Sequence, residues 1–373
     1  MLLKNQISSI ISTYTADVSG VCSALFELGG MCVMHDASGC NSTYNTHDEP
    51  RWYDTDSLVF ISGLSEMEAI MGDDSKLVAD ITETAIELSP NFIAIAGTPI
   101  PTMIGTDLNA IAKEVEANTG IPAFSVPSSG MNSYIYGAKA AFQKILERFS
   151  GGEEKTKNLS VNVLGTTPLD FSVNGYTDDM YRYLENNGFE IVAKLGMGGT
   201  FDSLKKAGTA HVNLVVSACG LSAAKFLQEK FKTPYVVGTF VGESFSKKLI
   251  TDLKQSAESG KSIYSYPAPE GSSDTFIIAD AVIANSISEY TKKTYNFPLM
   301  VICPPDTDAE LKYNHTITGE NQLRDILKDA KRIIADPLFK PICPNTSEFI
   351  DFPHEAFSGR IYRDSIPNLL KIK

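Results

Sequence analysis

The residues best suited to chemistry crowd toward the start of the chain. Half of the six cysteines, Cys22, Cys32 and Cys40, fall in GVCSALFELGGMCVMHDASGCNSTYN beside His35 and Asp36. Three uses compete for them: a disulfide, a zinc site, or thiolate ligation of an iron–sulfur cluster. The spacing C-x9-C-x7-C lacks the closely paired ligands of a zinc knuckle. Cys32, between Met31 and Val33 in a predicted strand, reads as a small buried hydrophobe. Cys22 and Cys40 follow the small residues Ser19-Gly20-Val21 and Ser38-Gly39. Such residues let backbone approach a bulky ligand and leave amide donors for its sulfur atoms. These two are the candidate metal ligands, against the plainer alternative that they too are only packed.

Other motifs are less specific. SSGMNS (128–133), with Ser129 and Gly130, follows a predicted strand. It suits either an anion or cofactor wrapped by the loop, or an ordinary helix entry capped by Ser or Asn. GMGGTF (196–201) lacks the G-x-G-x-x-G spacing, and no G-x-x-x-x-G-K-[ST] occurs, so the chain carries no phosphate loop of its own. None of the five histidines forms an H-x-x-x-H pair, and no G-x-S-x-G elbow is present, which counts against a zinc hydrolase and a common α/β hydrolase. His354, in FPHEAFSGR, is either a pocket-lining residue or a half-exposed loop histidine.

The elements that must position these groups repeat one rhythm. Short apolar runs such as SLVFISG (57–63, read as a buried strand), NFIAIAG (91–97), LSVNVLG, HVNLVVS and TFIIAD alternate with amphipathic stretches of helical period. Strands buried on both faces and joined by helices are the signature of parallel sheets. Polar or turn-rich breaks at SGGEEKTKN (150–158) and PAPEGSS (267–273) divide the chain into 1–150, 151–266 and 267–373. The expectation is α/β, with three doubly wound Rossmann-like domains, each holding a small parallel sheet. The tail DPLFKPICPNTSEFIDFPHEAFSGR reads as a covering loop. Cys40, Pro99, Ser129 and Cys219 all follow predicted strands, on the side where ligands of such sheets lie.

Composition narrows the function classes. Of 373 residues 43% are apolar and 21% charged, normal for a globular chain, and the net charge of −13 without a Lys/Arg cluster argues against nucleic acid and anionic membranes. No apolar run reaches transmembrane length and no signal-peptide pattern opens the sequence, so a cytoplasmic protein is expected. A reducing compartment disfavours a disulfide and points the cysteines toward metal or redox roles.

Taken in order, GVCSAL (20–25), HDASGCN (35–41), LSEMEAIMGD (64–73), IAGTPIPTMIGTDL (95–108), VPSSGMNSYIYG (126–137) and VNVLG (161–165) resemble the catalytic component of nitrogenase and its relatives. That family includes the cofactor scaffold proteins, dark-operative protochlorophyllide reductase and the reductase of nickel-tetrapyrrole synthesis. The likeness runs through nearly the whole chain, strongest over 20–137 and thin after about 260. It implies three α/β domains and a homodimer, or a heterodimer with a paralogous subunit. An iron–sulfur cluster would lie at the dimer interface, fed by a separate ATP-hydrolysing iron–sulfur reductase. By resemblance Cys22 and Cys40 stand for the first two family cysteines, whereas Pro99 stands near the third, with no cysteine nearby. Two thiolates from each of two chains would suit one [4Fe–4S] cluster. Cys219 and His354 lie near the places of the family's cofactor-holding cysteine and histidine, shifted by about two residues and one. This implies an interdomain pocket for a second metallocluster, a tetrapyrrole or a small molecule. The leading expectation is an oxidoreductase subunit; the alternatives are a scaffold or carrier for cofactor assembly, and a cluster-free binding relative.

Overall fold

Fourteen strands, all paired in parallel, form three separate sheets in the computed structural model, which describes residues 8–37, 44, 48–152, 154–269 and 272–372. The first sheet, in the order β2-β1-β3-β4, is built from β1 (Met31–His35), β2 (Leu58–Ile61), β3 (Ile93–Gly97) and β4 (Ala123–Val126). Its helices are α1 (Asp17–Leu25), α2 (Glu66–Met71), α3 (Ser75–Leu88), α4 (Pro99–Ile104), α5 (Leu108–Thr119) and α6 (Tyr134–Phe149). Period-two alternation sorts the central strands onto two cores. Met31, Val33, Ile93 and Ile95 meet Leu77, Ile81, Ile111 and Val115 of α3 and α5. Cys32, Met34, Ala94 and Ala96 turn the other way, into the core shared with α1 and α6.

The second sheet, β6-β5-β7-β8-β9, comprises β5 (Ser160–Thr166), β6 (Glu190–Gly196), β7 (Val212–Val215), β8 (Tyr235–Val237) and β9 (Ile263–Tyr264). With it go α7 (Pro168–Phe171), α8 (Tyr176–Asn186), α9 (Phe201–Lys205), α10 (Leu221–Phe231) and α11 (Gly242–Ser259). The third, β12-β11-β10-β13-β14, comprises β10 (Thr275–Ile278), β11 (Met300–Cys303), β12 (His315–Thr316), β13 (Arg332–Ala335) and β14 (Glu348–Asp351), with α12 (Ala281–Tyr295), α13 (Glu320–Leu327) and α14 (Glu355–Ser358). One continuous apolar core runs through all three units, from Val21 and Ile135 to Leu214, Ile277 and Phe357.

Two local expectations are corrected, and two helices form where the sequence reading placed no element. The strand at 57–63 is not buried: β2 closes the sheet edge, has a neighbour on one side only and is half-exposed. The tail is not wholly a loop, because Glu348–Asp351 pairs with β13 and extends the third sheet. Helices form over 17–25 and 99–104, where the sequence showed no helical period. All nine residues of α1 are buried, so it has no polar face to set a period. In α4, Pro99 and Pro101 occupy the first turn, where a missing N–H costs nothing.

Candidate functional site

The N-terminal cysteines come first. Cys22 lies on the sixth residue of α1, has no exposed surface, and its thiol hydrogen-bonds that of Cys32 on β1. That bond and burial hold the Cys22 thiol well above its ordinary range, with the Glu49 carboxylate adding to the effect. The small residues beside it have a packing role. α1 crosses α6 so closely that a Cβ on Gly20 would strike the Tyr134 carbonyl, and one on Gly137 the Asp17 carbonyl. Around the same helix, Arg51 is clasped by Glu49 (Nε–Oε1 2.7 Å, Nη2–Oε2 2.8 Å) and Glu27 (2.8 Å), while Ser23 donates to Glu49 at 2.8 Å. The Gly198 amide of the GMGGTF loop donates to Glu27 at 2.7 Å, tying the second unit to the first. Cys40 lies outside the described residues.

The loop with Ser129 and Gly130 does wrap an anion, and the anion is a side chain of the same molecule. The Ser129 and Gly130 amides donate to Asp17 at 3.1 and 2.7 Å, and the Asn132 side-chain amide donates at 2.8 Å. Burial raises the Asp17 carboxyl while these donors oppose it. With both amides donating to Asp17, this loop anchors the N-terminus of α1.

Cys219 and His354 are brought together, over Asp170. Asp170 sits in α7 just beyond β5 and accepts from the Tyr134 hydroxyl (2.6 Å), the Thr167 hydroxyl (2.7 Å) and the Cys219 thiol (3.5 Å). His354 Nε2 stands 3.7 Å from Oδ1, the oxygen that accepts from Tyr134. Because His354 Nδ1 accepts from the Ala356 amide, its proton sits on Nε2, facing Asp170. The histidine is buried, not half-exposed on a loop. Burial lowers its pKa, opposed by Asp170, Asp336 and Glu355. Burial, then Asp170 and Asp280, push the Cys219 thiol well up, so it is a neutral thiol and not a ready nucleophile.

Among the described residues, which leave out Cys40, neither group gathers the ligands of a metallocluster. Among the described residues no three His, Cys, Asp or Glu side chains converge to hold a metal. Cys22 faces the core and another thiol, not a surface where two chains could share a cluster. Between Cys219 and His354 stand Asp170 and Tyr134. Tyr134, Asp170 and Asp280 were missed from the sequence. Asp170 and Asp280 each follow a predicted strand, in TTPLD and IIAD, and acids placed there are the signal that could have marked them.

The surface carries a second feature. Since all strands are parallel, their carboxyl ends share one edge of each sheet. At that edge of the first sheet, α2 follows β2, α4 follows β3 and residues 128–133 follow β4. Met67, Ile70 and Met71 of α2, Met103 of α4, and Met131 are 62–84% exposed. β1 runs between β2 and β3 and delivers the chain at Asp36 and Ala37 between these apolar helices, three residues before Cys40.

Residues 18–312 match the family model described as nitrogenase component 1 type oxidoreductase. The nitrogenase iron-molybdenum cofactor biosynthesis protein NifE of Clostridium pasteurianum is 31% identical over 196 residues, 52% of this chain and 42% of that protein. A light-independent protochlorophyllide reductase subunit of Nostoc punctiforme is 26% identical over 197 residues, 49% of this chain and 38% of that protein. The aligned part of this chain thus spans about two fifths of either relative. The solved structure of nitrogenase Cp1 at pH 6.5 superposes with a TM-score of 0.60 at 17% identity, covering 82% of this chain and 64% of that one, a likeness of fold.

Proposed function

This chain belongs to the nitrogenase component 1 type oxidoreductase family, and from that premise we propose that it works as one subunit of a redox assembly. It pairs with a second copy or a paralogous subunit through the carboxyl edge of its first sheet, and takes electrons from a separate ATP-hydrolysing iron–sulfur reductase. The observation that supports this reading is the exposed apolar group on α2, α4 and Met131. Large apolar side chains exposed together mark an interaction surface more often than chance, and these flank the point where β1 leads toward Cys40. With Cys22 turned into the core, Cys40, three residues after Ala37 in the sequence, is the remaining thiolate candidate. An iron–sulfur cluster held by the assembly would supply one-electron transfer. The three units, 1–150, 151–266 and 267–373, each contribute one sheet to the subunit. The packing of Cys22 against Cys32 favours a second reading, a cluster-free relative that keeps the pairing surface and binds a small molecule.

The test is iron and acid-labile sulfide on anaerobically purified protein, with its mass in solution. The redox reading expects a dimer or larger species that carries iron and acid-labile sulfide. Iron should fall in Cys40→Ala and persist in Cys22→Ala, and Met103→Lys with Met67→Lys should yield monomers. A paired protein with no iron after anaerobic reconstitution selects the cluster-free reading. A protein that is monomeric at every concentration overturns the pairing surface.

A further inference from the structure

His35, the last residue of β1, is 2% exposed, and one of its two ring nitrogens has no partner. Nδ1 lies 2.8 Å from the Ser62 hydroxyl, just beyond β2. That hydroxyl donates to the Asp36 carbonyl at 3.2 Å, so it accepts from Nδ1, and the proton of the neutral ring sits there. Nε2 is left as an enclosed lone pair. A buried acceptor without a partner is uncommon and calls for a ligand or a water.

His35 lines a cavity of about 10 Å³, the room of one water-sized body, whose walls also carry Glu68, Asp73 and Asp74. Gly72 ends α2 in left-handed backbone (φ +63°), and the chain turns into α3 through Asp73 and Asp74. All three acids keep oxygens to offer. Glu68 Oε2 accepts from the Ser65 amide, and Asp73 Oδ1 accepts from the Ser75 amide and hydroxyl, which leaves the second oxygen of each. Asp74, the N-cap of α3, makes no capping hydrogen bond. The cation in the wall, Lys76, is paired with Asp80 at 2.7 Å.

We propose that this pocket binds a divalent transition-metal ion of the zinc class through His35 Nε2 and Asp74, with Glu68 and Asp73 adding negative charge. An imidazole nitrogen beside carboxylate oxygens suits such an ion, whereas magnesium and calcium take oxygen ligands. Nδ1 held by Ser62 is the outer contact that fixes a ligating histidine. Among the acids Asp74 acts most strongly on the ring, and burial lowers the His35 pKa, which keeps Nε2 free of a proton at pH 7. No three of these side chains meet at coordinating distance among the described residues, so water from the side of exposed Asp73 completes the shell. The site uses neither Cys22 nor Cys40 and is independent of the iron–sulfur reading.

Calorimetric titration of the purified full chain with Zn²⁺ and with Co²⁺ at pH 7 tests it. One ion per chain is expected. The Co²⁺ difference spectrum should show the weak visible bands of nitrogen and oxygen ligands without an intense thiolate band. His35→Gln should abolish binding, Asp74→Asn should weaken it, and Ser62→Ala, which frees Nδ1, should weaken it by about tenfold or more. Asp74 and Ser62 are half-exposed, so their variants keep the test open if His35→Gln does not fold. Binding unchanged in these variants, a thiolate band in place of the weak ones, or no binding at all would overturn the site.

Discussion

Asp170 serves several donors at once, and its neighbours should respond unequally to substitution. Tyr134→Phe deletes a 2.6 Å hydrogen bond while preserving the ring, and should cost about 1–3 kcal/mol in urea unfolding. Cys219→Ala removes only a long 3.5 Å contact and a small buried volume, and should cost about 1 kcal/mol. If the order reversed, the thiol and not the hydroxyl would be the chief partner of the carboxyl. This site was half-legible in the sequence. Cys219 and His354 could be paired through family likeness, although they lie 135 positions apart. Asp170 could not, because nothing local distinguishes a strand-end acid that binds a ligand from one that satisfies its own chain. Ser129 and Gly130 misled for a related reason. A run of small polar residues announces an anion without saying whether the anion comes from outside.

Helices α1 and α6 cross where neither tolerates a side chain. Gly137→Ala should force the two backbones apart and destabilise by about 3 kcal/mol, the upper part of the range for overpacking, measured by denaturant midpoint. Ala at Gly260, which ends α11 facing open space, is the control for backbone strain alone. The amphipathic helices and the central strands were readable, since each presents one buried face or two. Helix α1 was not: its Val, Ser, Gly and Cys residues have poor helix propensity, and complete burial erases the periodicity that would have revealed it. The same blindness made Gly20 beside Cys22 look like room for a ligand, when it is room for a neighbouring helix.

At the scale of the molecule, one core continues through all three sheets. Unfolding should therefore be a single cooperative transition. Fluorescence of the lone Trp52, which packs on Phe26 and Tyr44 in the first unit, and far-ultraviolet dichroism of all three sheets should share one midpoint. Two separated midpoints would show that the units melt independently. The three-sheet plan was evident from the alternation of strands and helices, whereas the sharing of one core, which depends on contacts far apart in sequence, was not. The burial of α1 also carries a consequence for how the protein is made. It leaves the ribosome before its partners: the principal one, α6, begins at Tyr134 and its contacts near β6 come later still. At about 5–20 residues per second the nascent chain would hold this segment without its partner for on the order of ten seconds. A nine-residue helix has no stability of its own in water. This segment thus waits for partners made much later, and in a cell it would be an exposed apolar client for chaperones until α6 and β6 had been synthesised.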